Sequence, residues 1–427
     1  MTARRIARFA LVATAAVPAL AVAATGVSSG PASTLGQVSH PHAAQAGGNP
    51  AGLPLVRRGE TSLLRGGVAA ELGPVNNLID ELDDLQDELD DPPETVEGAE
   101  GVKEDFDDFL VQAGEDGYAK VSGFAHVPFA PLALQLPWGE GAFSLDVRFT
   151  GQSRLGILDA PLEVAVAGDD VDLTTNTSLY VKGAVVREIS AGYGREVYSG
   201  ERGQLFAGAT LRHYHADLSK IVVRLQDADD VGDTITDEYD ANQESATAVG
   251  ADLGLLWASD HYRVGLTGRN LNEPTLDYPA VGQSCGGLSG TEAQRCEAAQ
   301  GFGDRIDLEE TWTLDAQGTV EGALYTEDQS WVVAASVDIN EVRDPVGDEF
   351  QWAAISVSTV PQIRLMPEWR FGYRENLAGS ELSYVTTGLT LFRALSLDIA
   401  YGLDSVDYED ESYPRSFQAN VGLDFSF

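Results

Sequence analysis

The chain is short of positive charge. Of its 427 residues, 27 are Lys or Arg and 67 are Asp or Glu, a formal net charge of −40. Nucleic-acid binding needs clustered Lys and Arg, and a surface this acidic repels a polyanion. Cysteine is scarce too. Cys285 and Cys296 lie in VGQSCGGLSGTEAQRCEAAQG, beside no His and in no CxxC pair. That spacing argues against a zinc site and a dithiol motif, and in an exported protein it predicts a loop-closing disulfide. After the first 24 residues no apolar run is long enough to cross a bilayer as a helix, and mean hydropathy is −0.12. There is no HExxH or Walker loop. His213 and His215, two apart in RHYHAD, share one side of a strand and are expected as polar residues near an aqueous lumen or rim. The sequence therefore predicts no enzyme and no cofactor.

What is present begins with a leader. Arg4, Arg5 and Arg8 precede an apolar run from Phe9, and Ala21-Val22-Ala23 supplies the small-x-small pattern of a secretory signal. Residues 1–24 are expected to be removed near Ala23 or Ala24. A mature chain without an apolar helix is either soluble and exported or crosses a membrane as strands.

Residues 25–117 are expected as an irregular and then helical segment. In VNNLIDELDDLQDELDD, Val75, Leu78, Leu82, Leu85 and Leu89 fall on one helical face, with Asp80, Asp83, Asp84, Asp87 and Glu88 on the other. Pro92 and Pro93 end it. The plainer expectation for this stripe is packing on its own protein. A second acidic helix is expected near GVKEDFDDFLVQAG.

From Tyr118 the pattern alternates. Phe417, Ala419, Val421, Leu423, Phe425 and Phe427 share one face of the last segment, with polar residues between them. ALSLDIAYGLD, QIRLMPEWRFGYR and SWVVAASVDIN repeat this. About fourteen such strands are expected, starting near residues 119, 141, 161, 176, 204, 245, 260, 308, 329, 350, 362, 380, 394 and 413. Tight turns are expected at Arg393, Pro361, 326–328, 259–260 and 159–161, and longer acidic loops between them. One rim of turns and one of loops is the habit of an outer-membrane barrel, which also leaves no open sheet edge. The fold expected is all-β, a transmembrane antiparallel barrel over residues 118–427 with residues 25–117 as a partly helical plug.

The ending NVGLDFSF resembles the C-terminal signal read by the barrel-assembly machinery, through Asn420, Gly422, Leu423, Phe425 and Phe427. Further stretches, GGNPAG, YRVGLTGRNLNEP, WVVAASVDINEV, PEWRFGYRENLAG and YVTTGLTLFRALSLDIAYGLD, together resemble the outer-membrane barrels of the conjugal (plasmid) transfer TraF-like family, over residues 47–427. That family is similar to the FadL-type and PorV-type barrels. The Gly-rich stretch such proteins carry before Asn-Pro-Ala is missing here. The resemblance implies a FadL-like barrel in the outer membrane of a Gram-negative cell. Its N-terminal segment, with Asn49, Pro50 and Ala51, would gate the passage of a small, hydrophobic solute. Alternatives are a structural barrel serving a conjugation or secretion apparatus, and a soluble exported β protein. The partners implied are outer-membrane lipid, the assembly machinery and a small solute.

Asp146, Arg148, Asp252, Arg263, Arg269, Asp338, Arg364, Glu368, Arg370 and Asp398 are expected on inward faces, forming ion pairs across the lumen. The acidic loop from Asp227 places Asp229, Gly232, Asp233 and Glu238 at EF-hand-like positions, but Val231 takes a ligand position. It is the best cation candidate, with a solvated loop as the alternative.

Overall fold

The structure, a computed structural model, describes residues 48–427 apart from 57–59, 136–140, 168–169, 228–241, 361–362, 364, 409–410 and 427. The leader, His40, His42, Asp229, Asp233, Glu238, Arg364 and Phe427 lie outside the described residues.

Fourteen antiparallel strands close into a barrel. They are β1 (Glu60–Leu72), β2 (Tyr118–His126), β3 (Gly141–Leu158), β4 (Ser178–Gly200), β5 (Gly203–Arg224), β6 (Gln243–Ala258) and β7 (Tyr262–Arg269). The second half is β8 (Gln317–Tyr325), β9 (Trp331–Asp338), β10 (Trp352–Thr359), β11 (Glu368–Asn376), β12 (Ser383–Leu391), β13 (Leu395–Gly402) and β14 (Ser416–Ser426). Each pairs with its neighbours in sequence, and β1 closes the ring on β14, from Glu60↔Ser426 to Glu71↔Ser416. A short strand, Leu132–Gln135, extends the wall below β2 between β1 and β3.

Period-two alternation sets the two faces. Leu211, Val249, Leu253, Val264, Leu324, Ile355, Phe371 and Val385 are exposed on the outside. Ser144, Thr210, Asp252, Thr267, Ser356, Arg370, Asp398 and Gln418 are buried on the inside. A soluble sandwich would hide the apolar set between two sheets. Here that set faces outward from one closed cylinder, which excludes the soluble alternative. Tyr198, Trp257, Tyr262, Trp331, Trp369 and Phe425 gather near the rim of turns, as an aromatic girdle does at a membrane interface.

Two expectations are corrected. The barrel begins at Glu60, inside the stretch expected as plug. β1 alternates Leu64, Gly66, Val68 and Ala70 against Arg65, Gly67 and Glu71, a pattern diluted by small residues. Gly67 is small because a Cβ there would strike the Phe124 ring and Asn420. The segment expected as a strand near 161 is instead a separate hairpin, Leu162–Ala167 with Asp170–Thr175, so 159–161 is no barrel turn. The two errors cancel in the strand total.

β4 and β5, of 23 and 22 residues, run roughly 70 Å at ordinary strand rise, while a bilayer needs about ten tilted residues. Their surplus stands beyond the membrane on the rim of long loops. There the outward apolar face continues as Leu155, Ile157, Leu179, Val181, Ile221 and Val223, with no lipid to cover it. Two helices of the β1–β2 connection take that place: α1 (Leu78–Asp90) and α2 (Val96–Asp116). Leu82 and Leu85 are buried against this wall with Leu110, Leu162 and Leu173, and Leu78 and Leu89 pack beside them. The leucine stripe is an intramolecular face. Helix α3 (Thr291–Gly301) and the Phe302 that caps it cover the inner side of the same extension, with Ala298, Ala299 and Phe302 against Leu158 and Val222. Cys296, within α3, is disulfide-bonded to Cys285. Leu85 has no exposed surface. Leu85→Ala should therefore weaken helix docking by about 2–5 kcal/mol. Limited proteolysis should then cut within residues 73–117 while the barrel keeps its heat-modifiable mobility on a detergent gel.

Candidate functional site

The site is the barrel interior, which two segments of the chain occupy from opposite ends. At the rim of turns, Pro50–Leu55 forms a 3-10 turn with Asn49 as its N-cap. The Asn49 side-chain oxygen accepts the Ala51 N–H at 3.0 Å. Its amide donates to the carbonyls of Leu255 at 3.1 Å and Leu266 at 3.4 Å, on β6 and β7. Pro50 at the first helical position sacrifices no hydrogen bond. Ala51 packs with Phe206, Leu256 and Ala258, and Leu53 with Ala142. The Gln135 side chain donates to the Val56 carbonyl at 3.1 Å.

The wall is shaped to receive this turn. Gly194, Gly208 and Gly254 stand directly opposite one another on β4, β5 and β6. A Cβ on Gly208 would fall on the Pro50 carbonyl group, one on Gly254 on the Asn49 side chain, and one on Gly194 on the Pro50 oxygen. Three glycines in register let one backbone lie flush on another. Resemblance singles out Asn49, Pro50 and Ala51, which lie in this turn. The sequence alone does not show the glycines, because nothing aligns positions 194, 208 and 254 until strand register is known.

At the rim of loops, the β9–β10 connection folds inward as a small hairpin, Val342–Arg343 with Glu349–Phe350. Asp344 lies 2.7 Å from the Lys120 ammonium on β2, and Asp348 pairs with both Lys120 and Arg154. Burial raises the Asp344 carboxyl above its usual range, and Lys120 only partly offsets this. For Asp348, Lys120 and Arg154 outweigh burial and hold the carboxyl low. The β7–β8 connection clamps the hairpin from above. The Tyr278 hydroxyl donates to the Pro345 carbonyl at 2.5 Å, and the Trp312 indole to that of Arg343 at 3.2 Å.

Between the two segments the wall carries ion pairs of both signs. Arg212 joins Glu188 and, at 2.6 Å, Asp252; Arg148 reaches Glu188 at 2.8 Å. Arg370 bridges Glu368 and Asp398 at 2.9 Å each. Asp146, Arg148, Asp252, Asp338, Glu368, Arg370 and Asp398 thus stand inside as expected. The pairs join near neighbours rather than opposite walls, since β-strand side chains reach adjacent strands first. His213 and His215 face outward, not toward the lumen, and His215 lies 3.7 Å from Asp217. Of the acidic loop only Asp227 is described, in a short turn after β5. No metal-holding cluster occurs among the described residues. Asn420, in the terminal pattern, is buried inside, while Phe425 is exposed outside.

Asn49→Ala should weaken seating of the turn by about 1–3 kcal/mol, because two wall contacts and the cap are lost. Gly208→Val should unseat it outright. For both, a single cysteine at Ala51 should become reactive to a water-soluble maleimide, with Gly208→Val the faster. Gly156→Ala, whose new Cβ meets nothing closer than 4.0 Å, should leave the rate unchanged.

Comparison with known proteins agrees with this geometry. No curated protein matches the chain in sequence. The Pseudomonas putida toluene transporter TodX is similar in structure at 14% identity and TM-score 0.50, over 94% of this chain and 98% of that one. A Pseudomonas aeruginosa FadL homologue (11%, TM-score 0.48, 95% and 98%) and the Ralstonia pickettii toluene transporter TbuX (12%, 0.44, 93% and 98%) also align. At such identity the likeness to TodX speaks for the fold alone. The family model for the F plasmid transfer operon TraF protein matches residues 47–338, from the Asn-Pro-Ala turn to the end of β9. A closed fourteen-stranded barrel with its own chain folded into both ends, the protein belongs to the TraF family of the F plasmid transfer operon.

Proposed function

We propose that the protein is a gated outer-membrane conduit for a small solute, closed at both ends in the conformation described. One observation carries this reading. A barrel of this size is too wide for its side chains to fill, and chain segments, not a continuous side-chain core, take up its two ends. Each segment is held by contacts separate from the barrel ladder. Asn49–Leu55 rests on a glycine seat, and the Asp344–Asp348 turn is tethered to Lys120 and Arg154. Either can leave without breaking the ring of strands.

TodX and TbuX are toluene transporters. Here the inner face of β4 and β5 offers Ala184, Val186, Ala216 and Leu218, covered by Leu276, Trp312 and Leu314 of the β7–β8 connection. Displacing that connection would uncover an apolar wall where the hydrophobic part of a solute can lodge. On the same reading the leader is removed near Ala23 or Ala24, and the assembly machinery recognises the terminal pattern ending in Phe427.

Single-channel recording in planar bilayers tests the gate. The wild-type protein should stay closed for most of the record, and deletion of residues 48–56 should give long-lived openings. Equal, persistent conductance from both would remove the gating role. Two silent proteins, both heat-modifiable and so folded, would favour a structural barrel.

A further inference from the structure

Lysine is the rarest charged residue in this chain: Lys103, Lys120, Lys182 and Lys220 are the only four. Lys103 ties α2 to the neighbouring hairpin through the Leu162 carbonyl at 2.7 Å and pairs with Asp107 of its own helix at 2.6 Å. The other three stand in one row. Lys120 on β2 is paired in register with Arg154 on β3, Arg154 with Lys182 on β4, and Lys182 with Lys220 on β5. All four side chains point inward, on consecutive strands at one height, near the rim of loops. At about 4.8 Å between strands, the row spans roughly 15 Å. Like charges directly opposite one another destabilise a sheet, and a desolvated ammonium is costly. Stability alone does not favour four adjacent cations in a protein of net charge −40.

The row's anionic partners come almost wholly from loops. Asp344 and Asp348 of the β9–β10 hairpin take Lys120 and Arg154. Glu310 of the β7–β8 connection takes Lys182 at 2.5 Å and Lys220 at 3.6 Å, and the Asp307 carbonyl also accepts from Lys220. The wall contributes one neighbouring carboxylate, Glu71, opposite Lys120 at the end of the row, where it also accepts the Tyr118 hydroxyl. The Phe350 and Tyr278 rings, also from the loops, lie over Lys120 and Lys182 at 4.6 and 4.9 Å. A cavity of about 320 Å³ reaches Arg154 and Lys182 between these loops and the C-terminal end of α2. The row is therefore approachable from the loop side while its own loops neutralise it.

We propose that Lys120, Arg154, Lys182 and Lys220 form a binding track for a small solute bearing several oxyanion groups, and that Asp344, Asp348 and Glu310 occupy it as internal stand-ins until such a solute displaces them. The three loop carboxylates define the chemistry: two or more carboxylates or phosphates within one molecule, recognised by cations a strand-spacing apart. This rests on the conduit reading for its purpose, since the track then lies at the outer mouth, but binding itself needs no passage.

The test is titration calorimetry on the full-length protein in detergent, with citrate, pyrophosphate, acetate and glycerol as probes at constant ionic strength. Citrate, pyrophosphate or both should bind, and which of them does separates a carboxylate from a phosphate source. Acetate and glycerol should not bind. Asp344→Asn with Asp348→Asn, which removes two stand-ins, should tighten binding about tenfold, or roughly 1.4 kcal/mol. Lys182→Met should weaken it by a similar factor. Heat-modifiable mobility confirms that each variant keeps its barrel. The proposal is overturned if neither polyanion binds wild type or the Asp344/Asp348 variant, if acetate binds as tightly as citrate, or if Lys182→Met leaves affinity unchanged. Because calorimetry reads binding alone, a protein that binds citrate yet never conducts would overturn the conduit and leave the track standing.

Discussion

In hydrocarbon no water is present to pair a backbone N–H or C=O, so a sheet that crosses a membrane must close on itself. Here that closure is the pairing of β1 with β14, and the rest of the architecture follows from it. Closure fixes which side of every strand faces lipid. It brings both ends of the described chain to the rim of turns, so Asn49–Leu55 needs only a short path from β1 to lie inside. It also sends every odd-numbered connection to the opposite rim, where the helices, the disulfide and both clamping loops are found.

The extreme acidity is distributed unevenly. The helices α1 and α2 carry a large share of it outside the barrel, with their leucines turned to the wall. These helices do for the overlong strands β3, β4 and β5 what lipid does lower down: they cover an apolar outer face. Their acidic side keeps that cover hydrated. Inside, charge is handled differently. Guanidinium and ammonium groups sit on the wall and are satisfied either by wall carboxylates, as in the Arg212 cluster, or by loops, as at Lys120 and Lys182. The first kind belongs to the cylinder. The second kind can be undone by moving a loop.

The fold was largely legible in the sequence, because alternation over Phe417–Phe427 or Trp331–Ile339 reports a face without reference to any partner. β1 was not, since Gly66, Gly67, Ala69 and Ala70 carry too little apolar contrast. The hairpin Leu162–Thr175 mimicked a wall strand because it alternates equally well while packing on α2. At the site, Asn49, Pro50 and Ala51 could be singled out by resemblance, and the inward ion-pairing residues by face. The glycine seat and the cation row could not. Each consists of residues that meet only across neighbouring strands, tens of positions apart in the chain, so that register is the information required. The inward fold of Asp344–Asp348 was equally invisible, because an acidic loop looks the same whether it hangs in solvent or meets a lysine.

The closure of β1 on β14 can be measured directly. With Cys285 and Cys296 replaced by Ser, cysteines at Val68 and Ala419, which oppose each other in register, should form a disulfide in the membrane-embedded protein. Oxidation should then alter the mobility of the heat-denatured chain, reversibly with reductant. Absence of that bond in folded protein, with Val68 instead cross-linking to a cysteine on some strand other than β2 or β14, would contradict the closed cylinder on which the account stands.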